Sequence, residues 1–381
     1  MPPVLSPLSA GAILTGFRAA LRNDHGAAHR VARALESFHG SGRAILTDSG
    51  TTALTLAMRW CLASTGRAKV GLPAFCCYDL VTALHGAGAE VVFYDLDPAT
   101  LGPDWDSLAR ALAERPAAVV VAHLYGLPVD MPRVMEMTEV TGVTVIEDAA
   151  QGSGATLNRR PLGSFGELAV LSFGRGKGVT GGHGGALLVN AGWRGGSDDT
   201  GLLPGARGTG EIIPLKAQWI LARPSLYRIP ASLPFLRLGD TVYRAPSPLG
   251  RISAASAAVV ERSWHQRGEE ISARQQNADW LLGQGIDGVI TPIAGAVSGW
   301  LRLPVMARSD AQVAEQSLGA WRSYPVPLPA LPQLHRASRP ASDFQGAQAL
   351  AERLWTLPTH SMVSEPIRSR LAAMARAAFS A

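Results

Sequence analysis

Lys177 lies in the stretch LSFGRGKGVTGGHGGALL, five residues after Ser172 and just ahead of a run of glycines, and upstream the chain reads VTVIEDAAQ around Asp148. A lysine amine can hold an aldehyde as a Schiff base, and a carboxylate can keep a pyridine nitrogen protonated so that its ring withdraws electrons. These are the two side chains that a pyridoxal phosphate site requires, and Lys177 and Asp148 are the candidates for them. Both follow short apolar runs, residues 143–146 and 169–171, that read as buried parallel strands. The carboxyl ends of such strands are where open α/β sheets bind ligands.

A third stretch, RAILTDSGTTALTLAMRWCLA, supplies what the other two lack. An apolar run at residues 44–46 gives way to Asp48, Ser49, Gly50, Thr51 and Thr52, and then to a helical pattern with Leu54, Met58 and Cys61 on one face. Strand, glycine turn and helix start leave backbone N–H groups around Thr51 and Thr52 unpaired, backed by the positive end of the helix dipole. That is a seat for a phosphate. Each signal alone is common; their ordered occurrence within about 130 residues is what carries the reading.

With SGTTAL (49–54), LPAFCCYDLVTALHGAGAEVVFYDLDP (72–98), AHLYGLPVDM (122–131), VIEDAAQ (145–151), LGSFGELAVLSFGRGKGVTGGHGGALL (162–188) and WTLPTH (355–360), the chain resembles the DegT/StrS family of fold type I aminotransferases, best known for making amino sugars on nucleotide carriers. The most specific marks are Ser172-Phe173-x-x-x-Lys177 and Asp148 to Gln151. The resemblance implies that Lys177 forms the Schiff base, Asp148 pairs with the pyridine nitrogen, Gln151 lies near the phenolic oxygen, and Ser172, Thr51 and Thr52 hold the phosphate. It also implies a large domain with a mostly parallel central sheet, a smaller α/β C-terminal domain, and a homodimer with active sites near the subunit interface.

Three positions depart from the family pattern. Cys77, followed by Tyr78, stands where an aromatic residue commonly stacks on the ring, so the two share the candidacy for that face. His183 stands where an acidic residue is usual. Leu249 stands where the partner subunit commonly offers an asparagine to the phosphate, while Arg251 is kept. His183, Arg251 and His123 are the candidates for substrate contact, against the plainer reading of His123 as a hydrogen-bonded strand-end histidine.

The rest of the chain agrees with an enzyme of this sort. Its 381 residues suffice for two domains, and 47% hydrophobic with 17% charged residues is neither disordered nor membrane-spanning. The net charge of +5 is scattered, which gives nucleic-acid binding no footprint. The three cysteines form no disulfide framework or zinc spacing, and the first residues lack a secretory pattern, so a reducing cytoplasm and no metal are expected.

Residues 15–40 read as one helix, followed by strand and helix in alternation through 44–46, 70–72, 90–94, 118–122, 143–146, 169–171 and 186–189. Asp95 and Asp97 read as turn formers. After residue 250 the pattern predicts a long helix over 254–282, strands at 288–291 and 300–305, and a terminal helix over 363–378. The division expected is residues 1–213 for the cofactor domain, 214–249 for a connecting arm and 250–381 for the small domain. Prolines 224, 230 and 234 break the arm's apolar runs short of a membrane span. The expected reaction moves an amino group from an amino acid, glutamate by resemblance, to a keto sugar on a nucleotide. The alternatives are a condensing enzyme with the same cofactor and a regulatory protein retaining the fold; the retained Lys177 argues against the latter.

Overall fold

A computed structural model describes the chain except for residues 6, 194, 197–199, 224–241, 309–317, 335–342 and 380–381. In chain order its strands begin with β1 (Arg43–Thr47), β2 (Lys69–Pro73), β3 (Glu90–Tyr94), β4 (Ala118–Ala122) and β5 (Thr144–Asp148). After the short strands β6 (Thr156–Leu157) and β7 (Arg160–Pro161) come β8 (Leu168–Ser172) and β9 (Gly185–Val189). Seven of them form one sheet in the order β1-β9-β8-β5-β4-β2-β3. Every pairing is parallel except the two made by β9. The exception has a simple cause: the twelve residues between β8 and β9 form a hairpin loop and contain no crossover helix. All five residues of β4 are buried, as expected for a strand covered on both faces.

The helices stop and start where the sequence supplies caps. In α3 (Gly50–Thr65) the Ser49 hydroxyl accepts from the Thr52 N–H, and Gly66 closes the helix at φ 66°. Asp104 caps α5 (Trp105–Ala113), and Asp130 caps α6 (Met131–Thr141); α4 (Asp79–Ala87) lies between β2 and β3. The single helix expected over residues 15–40 is two, α1 (Ala10–Arg22) and α2 (Gly26–His39). Asn23 takes the left-handed conformation that ends α1, and the Asp24 carboxylate accepts from the Gly26 N–H.

Beyond α7 (Ile212–Leu221), the long helix is found as α8 (Ala254–Leu282), capped by Ser253 and packed on α1 and α2. β10 (Ala296–Val297) returns to pair with β6. β11 (Leu303–Met306) and β12 (Leu354–Leu357) make a separate two-stranded sheet, flanked by α9 (Gln345–Arg353) and α10 (Glu365–Phe379). The strand expected at 288–291 is reduced to one bridge between Val289 and Val305, and that expected at 300–305 starts only at Leu303, because Trp300 turns the chain at φ 42°. Asp95 does more than shape a turn: its carboxylate accepts from the N–H groups of Gly346 and Ala347 and so caps α9. A side chain at Gly346 would collide with the Leu96 carbonyl, which is why glycine stands there.

Residues 224–241 of the arm, with Arg228 and Arg237, lie outside the described residues. At the arm's near end Arg223 lies 5.0 Å over Trp219; at its far end Thr82 donates to the Arg244 carbonyl, and Tyr243 meets His85 at 3.0 Å. Among the described residues no helix is long and apolar enough to cross a membrane.

Candidate functional site

Asp148 is the last residue of β5, in the middle of the sheet. The residue is 8% exposed, and its carboxylate accepts from the Ala150 N–H at 3.0 Å. Burial pushes its pKa up, against the opposing pull of the Ala150 N–H and the charge of Lys177. The fold thus brings Lys177 within electrostatic reach of Asp148, and also of Cys76 and Cys77.

Lys177 rides on the β8–β9 hairpin loop, and α8 grips that loop. Ser256 donates to the Gly181 carbonyl, Ser263 accepts from the Thr180 N–H, and the buried Arg274 lies under Gly178 while donating to the Ser153 carbonyl. A side chain at Gly178 would strike Ser153, and one at Gly184 would strike Ile252. The glycines therefore let the loop lie flat between the Asp148 turn and α8. Lys177 itself is half-buried and makes no hydrogen bond or ion pair among the described residues.

The α3 N-terminus faces the same place. A Cβ at Gly50 would meet the Ser172 Cβ at 2.9 Å and its hydroxyl at 3.1 Å, so Ser172 lies against the first turn of the helix. Gly185 presses on the same turn, where any Cβ would meet the Gly50 nitrogen at 2.5 Å. Thr51 is half-exposed there. Thr52 is a correction to the expectation: its hydroxyl donates to Asp48 at 2.5 Å and its N–H to Ser49, so both its donors are spent on the cap. At this corner Gly50 packs on Ser172, with Thr51 on the same helical turn.

Gln151 is held at both ends of its amide: Oε1 accepts from the Tyr125 N–H at 2.9 Å, and Nε2 donates to the Tyr324 hydroxyl at 3.0 Å. Tyr78 lies beside this group, its ring centroid 6.5 Å from that of Tyr324. Its hydroxyl exchanges hydrogen bonds with the Val326 backbone, whereas half-buried Cys77 donates its thiol to Asp79 at 3.4 Å. Burial pushes the Cys77 thiol well up, with Asp79 adding to it and Lys177 opposing.

His123 is the second correction. It is fully buried; Nδ1 accepts from the Val129 N–H, so the proton sits on Nε2, which donates to Glu147 at 3.0 Å. No ring nitrogen is left for a substrate. Glu147 also accepts from the N–H groups of Gly163, Phe165 and Gly166. Burial pushes its pKa up, but the His123 bond and these N–H groups outweigh that and hold it below the ordinary value. A carboxyl so shifted stabilises the fold above its unfolded-state pKa and loses that contribution as pH falls through the folded value. Glu147→Gln turns an amide N–H₂ toward these donors and should cost about 2–3 kcal/mol at neutral pH, with a smaller penalty in acid. Urea midpoints at the two pH values test it, and an unchanged midpoint at pH 7 refutes it.

His183 is exposed at the loop's edge. Arg251, also exposed, pairs with Thr47 and reaches Thr200, while the neighbouring Gly250 carbonyl accepts from the Asp48 N–H of the same chain. His360 is buried on the Pro2 carbonyl, and its pKa is pushed down by burial to about 4. Sequence reasoning missed Tyr324, Tyr125 and the grip of α8, all set by contacts distant in the chain. The one local signal was the serine face of an otherwise alanine-rich α8 start.

Residues 20–193 match the sequence model of the DegT/DnrJ/EryC1/StrS aminotransferase family. The chain is 34% identical over 168 residues to an L-glutamine:2-deoxy-scyllo-inosose aminotransferase of Streptomyces kanamyceticus, covering 44% of this chain and 39% of that protein. Over 183 residues it is 34% identical to a UDP-N-acetyl-3-dehydro-alpha-D-glucosamine 3-aminotransferase of Acidithiobacillus ferrooxidans, covering 47% of this chain and 49% of that one. The matched stretch spans about two-fifths to half of these relatives' own lengths. The PLP form of Spr1654 from Streptococcus pneumoniae superposes over 99% of this chain and 98% of its own, with a TM-score of 0.76 at 18% identity. That likeness establishes the shared α/β fold with its mostly parallel sheet.

Proposed function

We propose that this chain, whose residues 20–193 match the sequence model of the DegT/DnrJ/EryC1/StrS aminotransferase family, is an aminotransferase that moves an amino group from an amino acid to the keto group of a sugar, using pyridoxal phosphate. The observation that carries the reading is that Lys177 lies within electrostatic reach of the buried Asp148, while Ser172 at the base of the same hairpin lies against the first turn of α3. The residues fit the cofactor: glycine at 50 and 185 lets the β8–β9 hairpin press against the first turn of α3, which sets the Ser172 hydroxyl beside the helix N-terminus.

Pyridoxal phosphate, when bound, supplies an aldehyde that takes up an amino group from the donor and returns it to the acceptor. The Lys177 amine would hold that aldehyde and, when free, would move the proton to and from the substrate α-carbon. Asp148 keeps the pyridine nitrogen protonated, and its buried position strengthens that pairing. Ser172, Thr51 and the α3 dipole hold the phosphate. Cys77 and Tyr78 both stand as candidates to cover the ring. His183 and Arg251 lie exposed, where an acceptor or a second subunit reaches them.

The donor is glutamate or glutamine, and the acceptor a keto sugar, nucleotide-linked in the reading favoured by the family's commonest chemistry. The first relative's name carries glutamine and a cyclitol, the second's a UDP-linked sugar. Incubating the loaded protein with a panel of amino acids should bleach the visible band with one of these two donors. Keto acceptors, free and nucleotide-linked, should then restore it, with the aminated product identified by mass. No response to any amino acid would reject amino transfer and favour a condensing or non-catalytic role. A homodimer is part of the proposal: α1 exposes Leu14, Phe17 and Leu21 along one face. An active monomer in light scattering would exclude it.

A further inference from the structure

The Gln151 amide is oriented by its surroundings. A backbone N–H can only donate, so the atom facing Tyr125 N must be the amide oxygen, and Nε2 must be the atom that meets the Tyr324 hydroxyl. Tyr125 makes its contact from a left-handed conformation, φ 58° and ψ 14°, which is rare for a bulky residue and costs about 1–3 kcal/mol. The strain is held in place by Leu301 N–H on the Tyr125 carbonyl and by Gly299 N–H and the Ser298 hydroxyl on the Gly126 carbonyl. All three come from the C-terminal part of the chain, as does Tyr324. The Tyr324 ring stacks on Tyr125 at 6.3 Å and meets Phe75 edge-on at 5.5 Å. Tyr324 is within electrostatic reach of the Cys76 and Cys77 thiols, which Lys177 reaches as well.

With Oε1 occupied and one Nε2 hydrogen given to Tyr324, the side chain can present only its second N–H to anything bound beside Lys177. We propose that Tyr324 is a positioning residue: together with the strained Tyr125 it locks Gln151 as a pure donor toward the phenolic oxygen of the cofactor, so that docking of the C-terminal part sets the electronics of the site. The inference rests on the pyridoxal phosphate reading.

A donor at the phenolic oxygen spreads its negative charge; without it, the oxygen holds a neighbouring proton more tightly, and the proton persists to higher pH. The test is a pH titration of the visible band of cofactor-loaded protein, alongside steady-state kinetics. Tyr324→Phe keeps the ring packing and should still load. Its midpoint should rise by about half a pH unit or more, with kcat down about five- to twentyfold and the donor KM changed less than about threefold. Gln151→Leu should show the same upward shift, and the double variant no further one, because one residue acts through the other. An unshifted Tyr324→Phe, or shifts that add in the double variant, would overturn the proposal. Should Tyr324→Phe fail to load, the Gln151→Leu titration decides alone, and no shift there overturns it as well. Wild-type protein that takes up no pyridoxal phosphate would remove the underlying reading instead, a result separate from either outcome.

Discussion

Lys177→Ala should lower amino transfer by at least about four orders of magnitude, a barrier increase of roughly 5 kcal/mol or more. In the proposed reaction the amine is both the group that holds the aldehyde and the base that moves the α-proton, and no other lysine lies in the β8–β9 loop to replace it. Lys177→Arg should be equally inactive, because a guanidinium keeps the charge but does not give up its proton. Neither change should disturb the fold by more than about 0.5 kcal/mol, since Lys177 is half-buried and makes no hydrogen bond among the described residues. Assays on the two variants, with thermal unfolding beside them, separate chemistry from folding. Activity within tenfold of wild type in either would contradict the assignment.

Asp148→Asn should separate activity from stability in the opposite sense. Asparagine still accepts from the Ala150 N–H but cannot hold a pyridine nitrogen protonated, so amino transfer should fall about 100- to 1,000-fold, roughly 3–4 kcal/mol of barrier. The carboxyl pKa is raised by burial, so without a cationic partner its charged form works against folding. That penalty is full above the folded pKa and vanishes below the unfolded one. Cofactor-free Asp148→Asn should therefore unfold at the same or a higher temperature than the wild type at neutral pH, and should lose that advantage in acid. A variant that is less stable at pH 7 and retains more than half its activity would mean that Asp148 is a structural carboxylate.

Much of this arrangement was legible in the sequence because local forces dictate it. Runs such as Ala118–Ala122, with three consecutive valines, can only be buried strands, and Ser49, Asp104, Asp130 and Ser253 each mark a helix start. The position of Asp148 at a strand end follows from the same runs, whereas Lys177 lies five residues past the end of β8, in the hairpin loop. What could not be read depends on residues that meet only after folding. His123 was a candidate for substrate contact until Glu147 and Val129 were seen to take both its nitrogens. Thr52 sat in a phosphate-like motif, yet its hydroxyl serves Asp48. The Asp95 cap on α9 and the Tyr324 contact with Gln151 join residues 251 and 173 positions apart, with no periodicity to announce them. The short pairing of β6 with β10 involves two residues on each side, too few to leave a pattern.

The most direct test is chemical. Protein loaded with pyridoxal phosphate and reduced with borohydride should carry the pyridoxyl group on the peptide containing Lys177, and Lys177→Ala treated in the same way should carry none. A label on a different lysine, or loaded wild-type protein that yields no reduced adduct, would contradict the account.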